Sequence, residues 1–132
     1  MRLRTYAASG ILVATLGLLA GCQSDKKPAA SSPQRAALPT MERVAVAANT
    51  CWFKSNDPAF RDYRLAPELN SFSGRPRILA VPRHSPESRP LLVVQAEGSP
   101  ARLDAFGPLM QGPAGGRIKA DVLRWAAGGT GC

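Results

Sequence analysis

The chain has a single histidine, His84, and few aromatic side chains: four Phe, two Tyr and two Trp. One imidazole cannot supply the repeated nitrogen ligands of a histidine-rich metal centre. It also leaves one residue of that type to move protons near neutral pH. The carboxylates Asp57, Asp62, Glu68, Glu87, Glu97, Asp104 and Asp121 are dispersed singly, so no spacing argues for a paired acid and base. No phosphate-cradling loop is present, because Gly115-Gly116 lacks the lysine and the preceding strand such a loop needs. Long apolar stretches are missing too. The run from Ala7 to Ala20 is broken by Ser9, Gly10, Thr15 and Gly17 and falls short of the roughly 20 residues that cross a bilayer core.

That run is instead the centre of an export signal. Arg2 and Arg4 precede it and Leu19-Ala20-Gly21-Cys22 closes it, which gives a basic start, an apolar middle and a small-residue cleavage site. The cysteine directly after the cut reads as a lipobox, the cleavage and lipidation signal of bacterial lipoproteins. It predicts that Cys22 becomes the first mature residue and carries acyl chains such as palmitate on its sulfur and new amine. One acyl chain holds a protein only marginally, whereas two or three hold it firmly. An uncleaved anchor and ordinary secretion are the rival readings. Gln23, where an aspartate would favour inner-membrane retention, points to the outer membrane with the domain facing the periplasm.

Behind the signal peptide of residues 1–21, residues 22–40 hold the lipidated Cys22 and a tether rich in Pro, Ala and Ser. Such a segment buries too little apolar surface to offset its ordering entropy. Residues 41–132 then make one globular domain. The formal net charge is +8, and Arg2 and Arg4 lie in the signal peptide. A mildly basic exported surface suits lipid phosphate, acidic polysaccharide or an envelope protein, and no nucleic acid. Of the three cysteines, Cys22 goes to the lipid, which leaves Cys51 and Cys132 to form a disulfide in an oxidising compartment. A metal site is the rival for this pair, but with the distant His84 the two fall short of four ligands. No cofactor is implied.

Met41 to Trp52 has Met41, Val44, Ala48, Cys51 and Trp52 at helical spacing, with Thr40 expected as its N-cap. That stripe reads as core, or alternatively as a surface for a partner. Four short strands are expected at 63–66, 77–81, 91–96 and 102–106, the last two forming a hairpin across Glu97-Gly98-Ser99-Pro100. Arg117 to Ala127 restores helical spacing, with Ile118, Val122, Trp125 and Ala126 on one side and Arg117, Lys119, Asp121 and Arg124 polar. Gly128 supplies the stop. The prediction is an α+β fold: a small antiparallel sheet of about four strands with the N- and C-terminal helices on one face, joined by the disulfide.

Arg75, Arg77, Arg83 and Arg89, with His84 among them, flank the second strand with no acid until Glu87. Gathered on one rim they would bind anions; separately they are ordinary solvated arginines. His84 lies between prolines in Pro82-Arg83-His84-Ser85-Pro86, beside a serine too close in sequence for triad geometry.

Thr50-Cys51-Trp52-Phe53-Lys54, Asp57 to Tyr63, Arg75-Pro76-Arg77-Ile78-Leu79 and the closing Cys132 resemble small lipoproteins of alphaproteobacteria. The resemblance covers most of 43–132. It implies a disulfide-stapled periplasmic domain and carries across no catalytic residue. The expected function is a lipid-anchored envelope protein that binds another envelope component. A small enzyme acting on envelope polymer through His84 and a carboxylate is one alternative. An accessory subunit of an envelope complex is another.

Overall fold

The structure, a computed structural model, describes residues 35–132. The lipobox, Cys22 and the tether as far as residue 34 lie outside the described residues. Four strands, β1 (Tyr63–Glu68), β2 (Arg77–Pro82), β3 (Leu92–Glu97) and β4 (Arg102–Phe106), pair antiparallel in the order β1-β2-β3-β4. The register sets Leu65 opposite Ala80, Ile78 opposite Val94 and Ala96 opposite Leu103. Period-two alternation is clear in β3, where Leu92, Val94 and Ala96 are buried while Val93, Gln95 and Glu97 are half-buried. β2, flanked on both sides, is buried at every residue from Ile78 to Val81. β1 runs to Glu68, beyond the expected Ala66. Pro67 lies within it, which an edge strand tolerates because its missing N–H can face away from the ladder.

Helices α1 (Ala37–Ala48) and α3 (Gly115–Ala126) share one face of this sheet. Met41, Val44 and Ala48 of α1 and Ile118, Val122 and Trp125 of α3 close over Ile78, Ala80, Leu92 and Val94 in one core. The expected α+β architecture is therefore present, including the shared face and the Cys51–Cys132 disulfide, whose Cα atoms are 5.3 Å apart.

The helix boundaries depart from expectation. α1 opens at Ala37, inside the segment read as tether, and Thr40 is not its cap. Thr40 is buried within the helix and accepts a hydrogen bond from Arg43 Nη2. Tertiary contacts hold the helix start: the Ala37 amide donates to Gly98 O at 3.0 Å, and the Ala101 amide donates to Arg35 O, just before the helix, at 2.7 Å. Pro39 sits in the first turn, where a missing amide hydrogen breaks no intrahelical bond. After Ala48 the helix widens into a π-helical turn, Asn49–Phe53, and the Lys54 amide reaches back to Asn49 O. Both Cys51 and Trp52 stay buried through that turn.

Two short elements were not expected. Pro58–Phe60 forms a 3₁₀ turn capped by Asp57, whose Oδ1 accepts from the Ala59 amide at 3.0 Å. Pro108–Gln111 forms a helical turn, α2, tied to the start of β3 by the Leu109 amide on Leu91 O. α3 starts at Gly115 rather than Arg117 because α2 packs against it. A Cβ at Gly115 would come within 2.2 Å of Met110 O, so only glycine allows the approach. At the far end Gly128 takes φ +95° and stops the helix.

Candidate functional site

Aromatic side chains from three segments gather next to Cys51. Trp52 stacks on Phe60 with ring centroids 4.6 Å apart and meets Trp125 at 5.0 Å, while Phe53 approaches Phe60 edge-on. Trp125 Nε1 donates to Gly131 O at 3.0 Å and so holds the glycine-rich tail that delivers Cys132 to Cys51. Both tryptophans are buried in the core.

Asp121 has a different place from the one its spacing implied. Read as part of the polar side of α3, it is instead 5 % exposed. Its Oδ2 accepts from Trp52 Nε1 at 2.9 Å and its Oδ1 from Arg124 Nη2 at 2.9 Å. Arg117 bridges outward from it, 3.7 Å from Asp121 and 2.7 Å from Asp57. A buried indole N–H needs an acceptor, and that is the one sequence signal for this contact. Nothing in the spacing says which acid provides it.

The arginine quartet is split. Arg75 Nε lies 2.9 Å from Glu97 and Arg77 Nε 2.5 Å from Glu68, both at one end of β2. Arg83 follows the other end, about 20 Å away by strand rise, and donates to Arg61 O and Tyr63 O. Arg89 is exposed in the loop between β2 and β3. The four therefore do not share one rim: a strand's length lies between Arg75 and Arg77 at one end of β2 and Arg83 at the other. Glu68 pairs with Arg77, while Arg75 shares Glu97 with Arg102. Glu97 gathers two partners. A hydrogen bond from Arg102 and the charge of Arg75 hold its carboxyl below the ordinary range.

His84 is exposed in the turn after β2. The one buried carboxylate among the described residues, Asp121, is occupied by Trp52, Arg124 and Arg117, so the two do not form an acid–base pair. Among the described residues no three His, Cys, Asp or Glu side chains are grouped to hold a metal ion. No described helix is long and apolar enough to cross a membrane.

The concave surface of most interest is a groove of about 490 Å³ between α1 and the tail, lined by Val46, Ala47, Thr50, Gly129 and the Cys51–Cys132 disulfide. Its charged contributors are Glu42 and Arg43. A second hollow, of about 630 Å³, lies under the β1–β2 turn between Pro67, Leu69, Phe72 and Arg77. The largely apolar walls of the first suit it to holding a ligand or a partner chain, whereas Glu68, Asn70, Ser71 and Ser73 make the second more polar. Large apolar side chains stay in water at Leu38, Val46, Phe72, Phe106 and Leu123.

Compared with known protein families, curated proteins and solved structures, the chain matches none.

Proposed function

We propose that the chain is a lipid-anchored protein of the bacterial cell envelope, attached through Cys22, whose domain binds another envelope component and performs no chemistry. The observation that carries this reading is the order of Arg2 and Arg4, the apolar run to Ala20, and Leu19-Ala20-Gly21-Cys22. The disulfide supports export, because such a bond persists where thiols are kept oxidised. Gln23 after the lipidated residue favours the periplasmic side of the outer membrane. For the binding role, support comes from the apolar groove along α1 and from the exposed Val46 at its edge.

Mass spectrometry of the protein isolated from bacterial membranes tests the anchor. The expected N-terminus is Cys22 with the added mass of acyl chains, and Cys22→Ser should release the protein from the membrane fraction. A chain that begins at Met1 without lipid overturns the reading. For the binding role, a photo-crosslinking side chain at Val46 should capture one dominant envelope component in living cells. Absence of any adduct from that position argues against the groove as the binding surface.

A further inference from the structure

Successive antiparallel strands reverse alternately at the two ends of the sheet, so the β1–β2 turn (69–76) and the β3–β4 turn (98–101) share one end. The chain also joins the domain at this end, through the bonds of Ala37 to Gly98 and Ala101 to Arg35. Phe72 stands at the tip of the first turn with its ring entirely in water. Leu38, in the first turn of α1, is exposed near the same end.

The net charge here is positive. Arg35, Arg75, Arg77 and Arg102 stand at or beside this end against Glu68, Glu97 and Asp104; Arg77 pairs with Glu68 and both Arg75 and Arg102 with Glu97, so the balance is one net positive charge. Folding gains nothing from an unpacked phenylalanine. An aromatic ring among arginines is, however, the composition that settles at a membrane–water boundary, the ring among the lipids and the guanidinium groups at the phosphates.

Twelve residues, 23–34, separate Cys22 from Arg35, so the anchor can be no farther than about 45 Å from this end. The opposite end of the sheet lies a strand length farther away. We infer that the end carrying Phe72 lies against the bilayer, with Phe72 among the headgroups of anionic phospholipid as a second contact beside the lipid on Cys22. This rests on the lipid-anchor reading above.

Tryptophan fluorescence in reconstituted vesicles tests the contact. The protein isolated from bacterial membranes is placed in phosphatidylcholine vesicles containing phosphatidylglycerol, with acyl chains brominated to quench nearby indoles. Phe72→Trp and Val46→Trp are compared with the parent, both at exposed positions, so the fold should be kept; near-ultraviolet circular dichroism checks that. The Phe72→Trp protein should be quenched severalfold more than the Val46→Trp protein, and less strongly when phosphatidylglycerol is left out. Quenching of the Val46→Trp protein alone, or of neither, overturns the inference and leaves the anchor standing. Quenching that ignores phosphatidylglycerol overturns the anionic partner. The mass of each sample reports the acyl chains separately, and a sample without them overturns the anchor and this contact with it.

Discussion

Trp52 Nε1 donates to Asp121 Oδ2 at 2.9 Å, joining residues 69 apart in sequence and tying the π-helical turn to α3. Two independent links, this polar one to the middle of α3 and the covalent one from Cys51 to Cys132, therefore hold the π-helical turn to the C-terminal part of the chain. Burial makes the polar link costly to break. A donor left without an acceptor loses its water and gains nothing in return.

Asp121→Ala should therefore destabilise the domain by about 2–3 kcal/mol, because it strands the Trp52 indole N–H and removes the partner of Arg124. The estimate stays below that for a fully buried pair because Arg117 and Arg124 remain partly hydrated. Asp121→Asn keeps an acceptor and should cost about 1 kcal/mol. Urea denaturation followed by tryptophan emission separates the two.

Cys132→Ser opens a loop that spans 81 residues in sequence, and the expected loss is about 2–4 kcal/mol. Reduction of the parent protein by a dithiol should lower its melting temperature as far as the substitution does. The tail bound to Trp125 through Gly131 should loosen in both cases, which a red shift in Trp125 emission would report.

Two adjacent glycines in α3 should respond in opposite directions. Gly115→Ala drives a methyl group into Met110 O and should cost about 1–3 kcal/mol as α2 is pushed away. At Gly116 a Cβ meets nothing within 4 Å, so Gly116→Ala should stabilise by about 0.5 kcal/mol through helix propensity. Equal losses at the two positions would contradict the α2–α3 contact.

Acidification should be felt at Glu97. Its carboxyl titrates below its ordinary value in the folded domain, so its contribution is complete above the unfolded value of 4.5 and is lost as pH falls through the folded one. In a carboxyl NMR titration Arg102→Gln should move the Glu97 midpoint upward, toward the ordinary range, and Arg75→Gln should move it less. An unshifted midpoint in Arg102→Gln would remove Arg102 as the main cause.

The reversals along the strands were legible in the sequence because proline and glycine punctuate them. Leu91 to Ala96 and Arg102 to Phe106 met as the expected hairpin, and Cys51 found Cys132. Short-range signals were less reliable at the helix starts. Thr40 has the chemistry of a cap, yet the helix starts three residues before it, at Ala37, whose amide donates to Gly98 O of the β3–β4 turn. The arginines misled for a related reason. Arg75, Arg77, Arg83 and Arg89 are close in sequence, but a strand keeps its ends apart, and the carboxylates that pair with Arg75 and Arg77 come from β3 and β1.

By itself the sequence determined the alternation of elements and the apolar faces, since each follows from a period or a residue type that acts over a few positions. The count of three cysteines left Cys51 and Cys132 to pair once Cys22 was assigned to the lipid. The tertiary structure alone decided that Asp121 turns inward to Trp52, that Gly115 touches Met110 and that Phe72 stands at the end where the chain joins the domain. Those are meetings between segments far apart in the chain, fixed by how the helices and the meander pack, and no local pattern encodes a distance across the core.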